Sequence, residues 1–144
     1  TIDKFSTYSD SWGYGYGYVH CGFRLAETFL IQAEALAMQD QIEEARIILD
    51  RFKSARYKST YTIPTEKEAL LQDIYRERRK EFVAEGDYGW LDMKRLGLKA
   101  ERTIGGITFK LEGEGDYRYA FPIPQSEIDN NKEIRQNPGW ILNN

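Results

Sequence analysis

The stretch that decides the fold reads Phe23-Arg24-Leu25-Ala26-Glu27-Thr28-Phe29-Leu30-Ile31-Gln32-Ala33-Glu34-Ala35-Leu36-Ala37 and, after a short break, Ile42-Glu43-Glu44-Ala45-Arg46-Ile47-Ile48-Leu49-Asp50-Arg51-Phe52. In the first part Leu25, Phe29, Ala33, Leu36 and Ala37 recur at helical spacing, with Glu27, Gln32 and Glu34 off the stripe. In the second Ile42, Ala45, Leu49 and Phe52 recur at three or four, and Asp40 with Glu43 reads as a capping box that starts a second helix. So short a break makes the two helices antiparallel. A small residue at Ala33, a large one at Leu36, then Ala45 and Leu49 follow the tetratricopeptide spacing, in which small side chains let two helices approach closely. Gln32 stands where that pattern prefers Leu. One such unit leaves its outer face uncovered, so neighbouring helices must cover it.

Beyond this pair, Pro64-Thr65 with Glu68 opens a third helix that the pattern carries to about Glu85, where Gly86 stops it. Its apolar side is Ala69, Leu70, Ile74, Phe82 and Val83. A shorter helix from about Trp90 to Leu96 ends at Gly97. Ile107, Phe109 and Leu111, then Tyr117, Tyr119 and Phe121, alternate on either side of Glu112-Gly113-Glu114-Gly115-Asp116, which predicts a β-hairpin across that turn. Pro122-Ile123-Pro124 breaks the strand, Ser126 caps a turn of helix through Ile128, and Asn137-Pro138-Gly139-Trp140 is expected as an ordered turn with Trp140 packed on the helices. The fold class is therefore mainly α: a tetratricopeptide-like helical hairpin and further helices, with a small β-hairpin and long irregular segments. Two parts are expected, an aromatic and Gly-rich lead-in over residues 1–22 and a helical domain over 23–144.

The composition of these 144 residues narrows the function classes. Hydrophobic residues make up 41% and charged ones 30%, and no run nears the roughly 18 apolar residues of a membrane span. Lys and Arg total 20 against 23 Asp and Glu, a net charge of −3, so no overall basic field is available for a phosphate backbone and nucleic acid is not an expected partner. One Cys and one His, the adjacent Cys21 and His20, exclude an intrachain disulfide and are too few for a structural zinc. No metal or cofactor is expected. The first residue is Thr, with no targeting segment before it, so the chain reads as a processed piece of something longer.

Two constellations carry chemistry worth weighing. Glu81 and Glu85 lie four apart on one helical face, a spacing open to acid–base work, but Arg78, Arg79, Asp92 and Arg95 around them favour a partly buried ion-pair network. His20 beside Cys21 points apart in an extended chain and makes no nucleophile–base pair. Gly13, Gly15 and Gly17 alternate with Tyr and lack the spacing of a phosphate loop. The other constellation is aromatic, 14% of the chain. Trp12, Tyr14, Tyr16 and Tyr18 alternate with those glycines, so an extended backbone sets four rings on one side, roughly 6.5 to 7 Å apart. Flat rings in a row suit the C–H faces of sugars; the competing reading is a half-buried strand packed on the helices.

Five motifs in order complete the picture: Phe23 to Ala35, Glu77-Arg78-Arg79-Lys80-Glu81-Phe82 with Glu85-Gly86, Asp92-Met93-Lys94-Arg95, Phe121-Pro122-Ile123-Pro124 with Glu127-Ile128, and Gln136-Asn137-Pro138-Gly139-Trp140. Together, over about 120 residues, they resemble the C-terminal part of the SusD/RagB family. The resemblance implies a surface lipoprotein of the Bacteroidetes outer membrane, without catalytic activity, that binds carbohydrate or another nutrient and works with a SusC-type TonB-dependent transporter. It implies a lipid anchor at an N-terminus absent from this chain, and Cys21, with no apolar lead, is not that lipidated residue. It also implies that the recurrent motifs are scaffold. The chain departs from the family between Gly86 and Asp92, where it reads Asp87-Tyr88-Gly89-Trp90-Leu91 in place of a shorter segment with an Arg. A tetratricopeptide-type protein-interaction module is the alternative function.

Overall fold

A computed structural model describes residues 24–83 and 85–140, which divide into two compact units meeting at Glu81 and Phe82. The lead-in over residues 1–22 lies outside the described residues. The first unit holds α1 (Leu25–Met38), α2 (Ile42–Ser54) and α3 (Lys67–Glu81).

Helix α1 is apolar nearly all round, so its pattern does not single out a face; the face it buries is Ala26, Leu30, Ala33 and Ala37, one position round from the expected stripe. Leu25, expected inside, is 74% exposed. The reason is closeness of approach. Ala33 and Ala37 of α1 and Ala45 of α2 are fully buried, and such small side chains let helices approach closely, while Leu30, Leu49, Leu70 and Ile74 are the largest fully buried side chains of the three helices. Each of those four side chains contributes about 1.5 to 3 kcal/mol by burial.

Asp40 does not cap α2. It sits at φ 62°, one residue past the C-cap of α1, with its N–H donating to Ala37 O at 3.1 Å and the Gln41 N–H donating to Leu36 O at 2.9 Å. That is a Schellman closure, with Asp in the left-handed position Gly usually takes. Its carboxylate instead accepts from Lys67 Nζ at 2.7 Å, tying the first residue of α3 to the α1–α2 turn. Glu43 pairs with Arg46 at 2.8 Å. Helix α3 ends at Glu81, four residues sooner than expected, and Gly86 takes a left-handed φ of 46° in the turn beyond.

The second unit opens at that turn. Phe82 stacks on Tyr88 with ring centroids 4.4 Å apart; in a continued helix these residues would lie about 9 Å apart along the axis and on different faces, so the stack requires the break. Helix α4 (Tyr88–Arg95) closes with a second Schellman motif, in which the Leu98 N–H reaches Met93 O at 3.0 Å and Gly97 supplies φ 57°. Strands β1 (Ala100–Ile104) and β2 (Ile107–Leu111) pair antiparallel, Ala100 with Leu111 and Ile104 with Ile107. The expected strand at 107–111 is present, but its partner precedes it. Gly105-Gly106, at φ 57° and 81°, forms the two-residue hairpin turn, whereas Tyr117–Tyr119 form a 3-10 turn. A strand there is prevented by Asp116, whose carboxylate accepts from the Arg118 N–H at 3.0 Å and from the Glu112 N–H at 2.7 Å and so curls the chain. Helix α5 (Gln125–Asn130) follows, with Pro124 rather than Ser126 at its N-cap.

Candidate functional site

Along α3, Asp73, Glu77 and Glu81 recur every four residues and so share one stripe of the helix. All three are buried, each with a partner from the C-terminal end of α2 or just past it. Lys53 Nζ lies 2.5 Å from Asp73 Oδ2, the Tyr57 hydroxyl donates to Glu77 at 2.8 Å, and Arg56 Nε donates to Glu81 Oε2 at 3.0 Å. Arg24, ahead of α1, adds a second guanidinium to Glu81. Lys80 Nζ closes the middle rung, 2.8 Å from the Tyr57 hydroxyl and 2.9 Å from Glu77 Oε1; these bonds hold its ammonium above the ordinary lysine pKa. Carboxylates this covered and this well supplied with donors join helices; acid–base work on a substrate needs one that a ligand can reach.

Of the residues expected in a charged network, these contacts are described. Glu81 is gripped by Arg24 and Arg56. Arg78 is buried on α3 and Arg79 is exposed on it. In the second unit Arg95 Nε donates to Asp92 Oδ1 at 2.8 Å, and Glu85 is half-buried in the turn. Sequence reasoning missed Lys53, although its position four after Leu49 places it on the buried face of α2.

The second unit presents aromatic rings. Trp90 of α4 stacks on Phe121 at 5.6 Å and 21° and meets Tyr119 at 5.3 Å, while Tyr117 meets Trp140 edge-on at 5.1 Å. Tyr119 is buried, its hydroxyl donating to Leu98 O, but Phe121 is 70% exposed and Tyr117 44% exposed. The terminal motif fixes this segment. The Gln136 amide donates to Ile123 O at 2.9 Å and accepts from the Ile123 N–H at 2.8 Å. Asn137 Nδ2 donates to Phe121 O at 2.7 Å and Trp140 Nε1 to Ala120 O at 2.8 Å. Trp140 therefore packs on the 117–121 segment and not, as expected, on the helices. Beneath it Asp116 takes a two-point grip from Arg118 Nε and Nη2 at 2.8 and 2.6 Å, which with two backbone N–H groups holds its carboxyl well below the usual carboxylate range. An exposed ring backed by a second ring is a surface on which a sugar face can stack.

Trp12, Tyr14, Tyr16 and Tyr18, the residues expected to bind ligand, lie outside the described residues, as do His20 and Cys21. Among the described residues no group of three His, Cys, Asp or Glu side chains is placed to hold a metal ion, and no helix is long and apolar enough to cross a membrane. The stacked pair of half-buried Trp90 and exposed Phe121 escaped the sequence reading because its rings lie 31 positions apart and the alternation places Phe121 in a strand.

Comparison with known proteins gives these units a context. A sequence profile of the SusD family matches residues 1–140. SusD-like protein P38 of Formosa agariphila is 32% identical over 123 residues, covering 80% of this chain and 23% of its own. Among solved structures, a Bacteroides vulgatus protein named for an inferred sugar-binding role superposes with a TM-score of 0.63 at 28% identity, over 83% of this chain and 28% of that one. A SusD-like protein of Bacteroides fragilis superposes with a TM-score of 0.57 at 26% identity, over 80% and 25%. The chain thus spans about a quarter of the length of these relatives. The mainly helical fold, the ordered run of motifs and the match over nearly every residue agree, and the chain belongs to the SusD family.

Proposed function

We propose that this chain is the C-terminal part of a SusD-like, non-catalytic surface protein that binds a glycan and delivers it to a SusC-type TonB-dependent transporter. The observation that carries the reading is the superposition on a protein named for sugar binding, within a family match over residues 1–140. The protein is held at the outer-membrane surface by a lipid anchor outside this chain. Trp12, Tyr14, Tyr16 and Tyr18 are the proposed ligand contacts, in a lead-in of residues 1–22 distinct from the helical domain of 23–144, because an uncharged sugar is held by ring stacking and a few hydrogen bonds rather than by ion pairs. The exposed Phe121 ring, backed by Trp90, is a second surface of the same chemistry.

The test is titration of a polysaccharide panel against the chain and the full-length protein, following Trp fluorescence. Trp12→Ala with Tyr16→Ala is expected to weaken binding at least tenfold. Binding that survives that pair and is lost in Phe121→Ala moves the site to the second unit. Should no glycan bind either protein, the role turns to the tetratricopeptide-type interaction module, a reading favoured by Leu25, Ile31 and Met38 standing exposed along α1.

A further inference from the structure

The segment from Asp116 to Phe121 carries exposed rings on a backbone that is fastened along its length. The Asp116 carboxylate accepts from the Arg118 N–H at 3.0 Å, Trp140 Nε1 donates to Ala120 O at 2.8 Å and Asn137 Nδ2 to Phe121 O at 2.7 Å. Each ring has one side covered. Phe121 rests nearly parallel on Trp90, and Tyr117 meets Trp140 edge-on and lies against Gly139, where even a Cβ would overlap it. The rest of both rings is open to solvent. An exposed ring held in one orientation has already lost the rotamer freedom that binding removes, so stacking a ligand on it costs less.

A polar group stands beside these rings. The Arg118 guanidinium carbon is 5.8 Å from the centroid of the Tyr117 ring. Its Nε and Nη2 donate to Asp116 at 2.8 and 2.6 Å, while Nη1 has no hydrogen bond to any of the described residues. Asp116 balances the charge of Arg118, so that nitrogen offers N–H donors without a net field and suits a neutral hydroxyl. Tyr117 and Phe121 are separated by two steps of the 3-10 turn and two extended steps, which sets their Cα atoms at most about 11 Å apart. Neighbouring rings of one glycan chain cover such a distance.

We infer that the Tyr117–Phe121 segment is a subsite for a neutral glycan chain, two of whose sugar rings stack on Phe121 and Tyr117 while Arg118 Nη1 donates to a hydroxyl. The assignment rests on the glycan-binding reading and adds the kind of glycan: an uncharged polymer held along its length. One ring holds a single sugar weakly, and two rings on one fastened segment act together.

Isothermal titration calorimetry decides it, with cello-, xylo- and malto-oligosaccharides of two, four and six units and the full-length protein carrying Trp12→Ala and Tyr16→Ala. In at least one series the affinity is expected to rise at least tenfold from two units to four. Phe121→Ala and Tyr117→Ala should each lower the four-unit affinity at least fivefold. Arg118→Lys, which keeps a cation on Asp116 without the third nitrogen, should lower it at least threefold. Far-UV circular dichroism establishes that the variants are folded; if the alanine variants are not, Phe121→Trp replaces them, with a change of its emission on adding the four-unit sugar expected. Binding without length dependence, affinity unmoved in the folded alanine variants, or no emission change for Phe121→Trp overturns the inference and leaves the glycan reading standing. Loss of all binding in the Trp12→Ala, Tyr16→Ala background also overturns it, placing the whole site in the lead-in, as does tighter binding of oligogalacturonides than of any neutral series. No oligosaccharide bound by the protein without substitutions overturns both.

Discussion

Gly139 shows how much one missing methyl can decide. It sits at φ 89°, and a Cβ built on it would overlap the Tyr117 ring. Backbone strain and overpacking then act together, so Gly139→Ala should lower stability by about 2 kcal/mol or more in urea denaturation, with Trp140 emission reporting the loosened turn. A silent substitution would mean that the turn does not hold Trp140. The Pro-Gly pair was legible as a turn from the sequence, but the ring that makes the glycine necessary, 22 positions earlier, was not. Asp40 teaches the same lesson differently: an Asp three before a Glu satisfies the capping pattern, yet the same carboxyl-bearing residue tolerates a left-handed φ, and helix closure claimed it.

Between elements, the carboxylate stripe of α3 is the main polar joint of the first unit. Lys53→Met leaves Asp73 and Glu77 buried beside an apolar chain and should cost about 3 to 5 kcal/mol, whereas adding Asp73→Leu should recover a large part of that loss. A double-mutant cycle by thermal denaturation tests this, and strict additivity would show that the pair is not coupled. Glu81 was legible in the sequence as a member of a charged network, but its bonds to Arg24 and Arg56, 57 and 25 positions away, were not. Local spacing shows neighbours on one helix, such as Lys80 beside Glu77, and tertiary packing adds residues from other segments. The hairpin was misassigned for a related reason. Alternation marks a strand without naming its partner, and the Gly105-Gly106 pair, the strongest turn signal in that stretch, was passed over for the longer Glu–Gly loop.

For the molecule as a whole, the antiparallel helical pair, the closing glycine of α4 and the family were all readable from order and spacing, while the buried face of α1 was not, because its ten apolar residues spread over more of the helix than the one stripe it buries. The acid limit of stability also belongs at this scale. Asp116 is depressed, chiefly by its bonds to Arg118, so its contribution is present above the ordinary carboxyl value of 3.8 and is lost as pH falls below it toward the folded value. Asp116→Asn should flatten the fall of melting temperature between about pH 4 and pH 2 relative to wild type. Parallel curves for the two proteins would remove Asp116 from the acid transition.

The Gln136 side chain has one more consequence. By meeting both the N–H and the C=O of Ile123, its amide does what an adjoining strand would do, and the residues on either side, Pro122 and Pro124, have no N–H to offer. An extended, apolar Phe-Pro-Ile-Pro segment would otherwise invite a second chain to add alongside it. With its donors absent or occupied, that segment is closed to intermolecular strand addition, and the motif guards this stretch of backbone against aggregation.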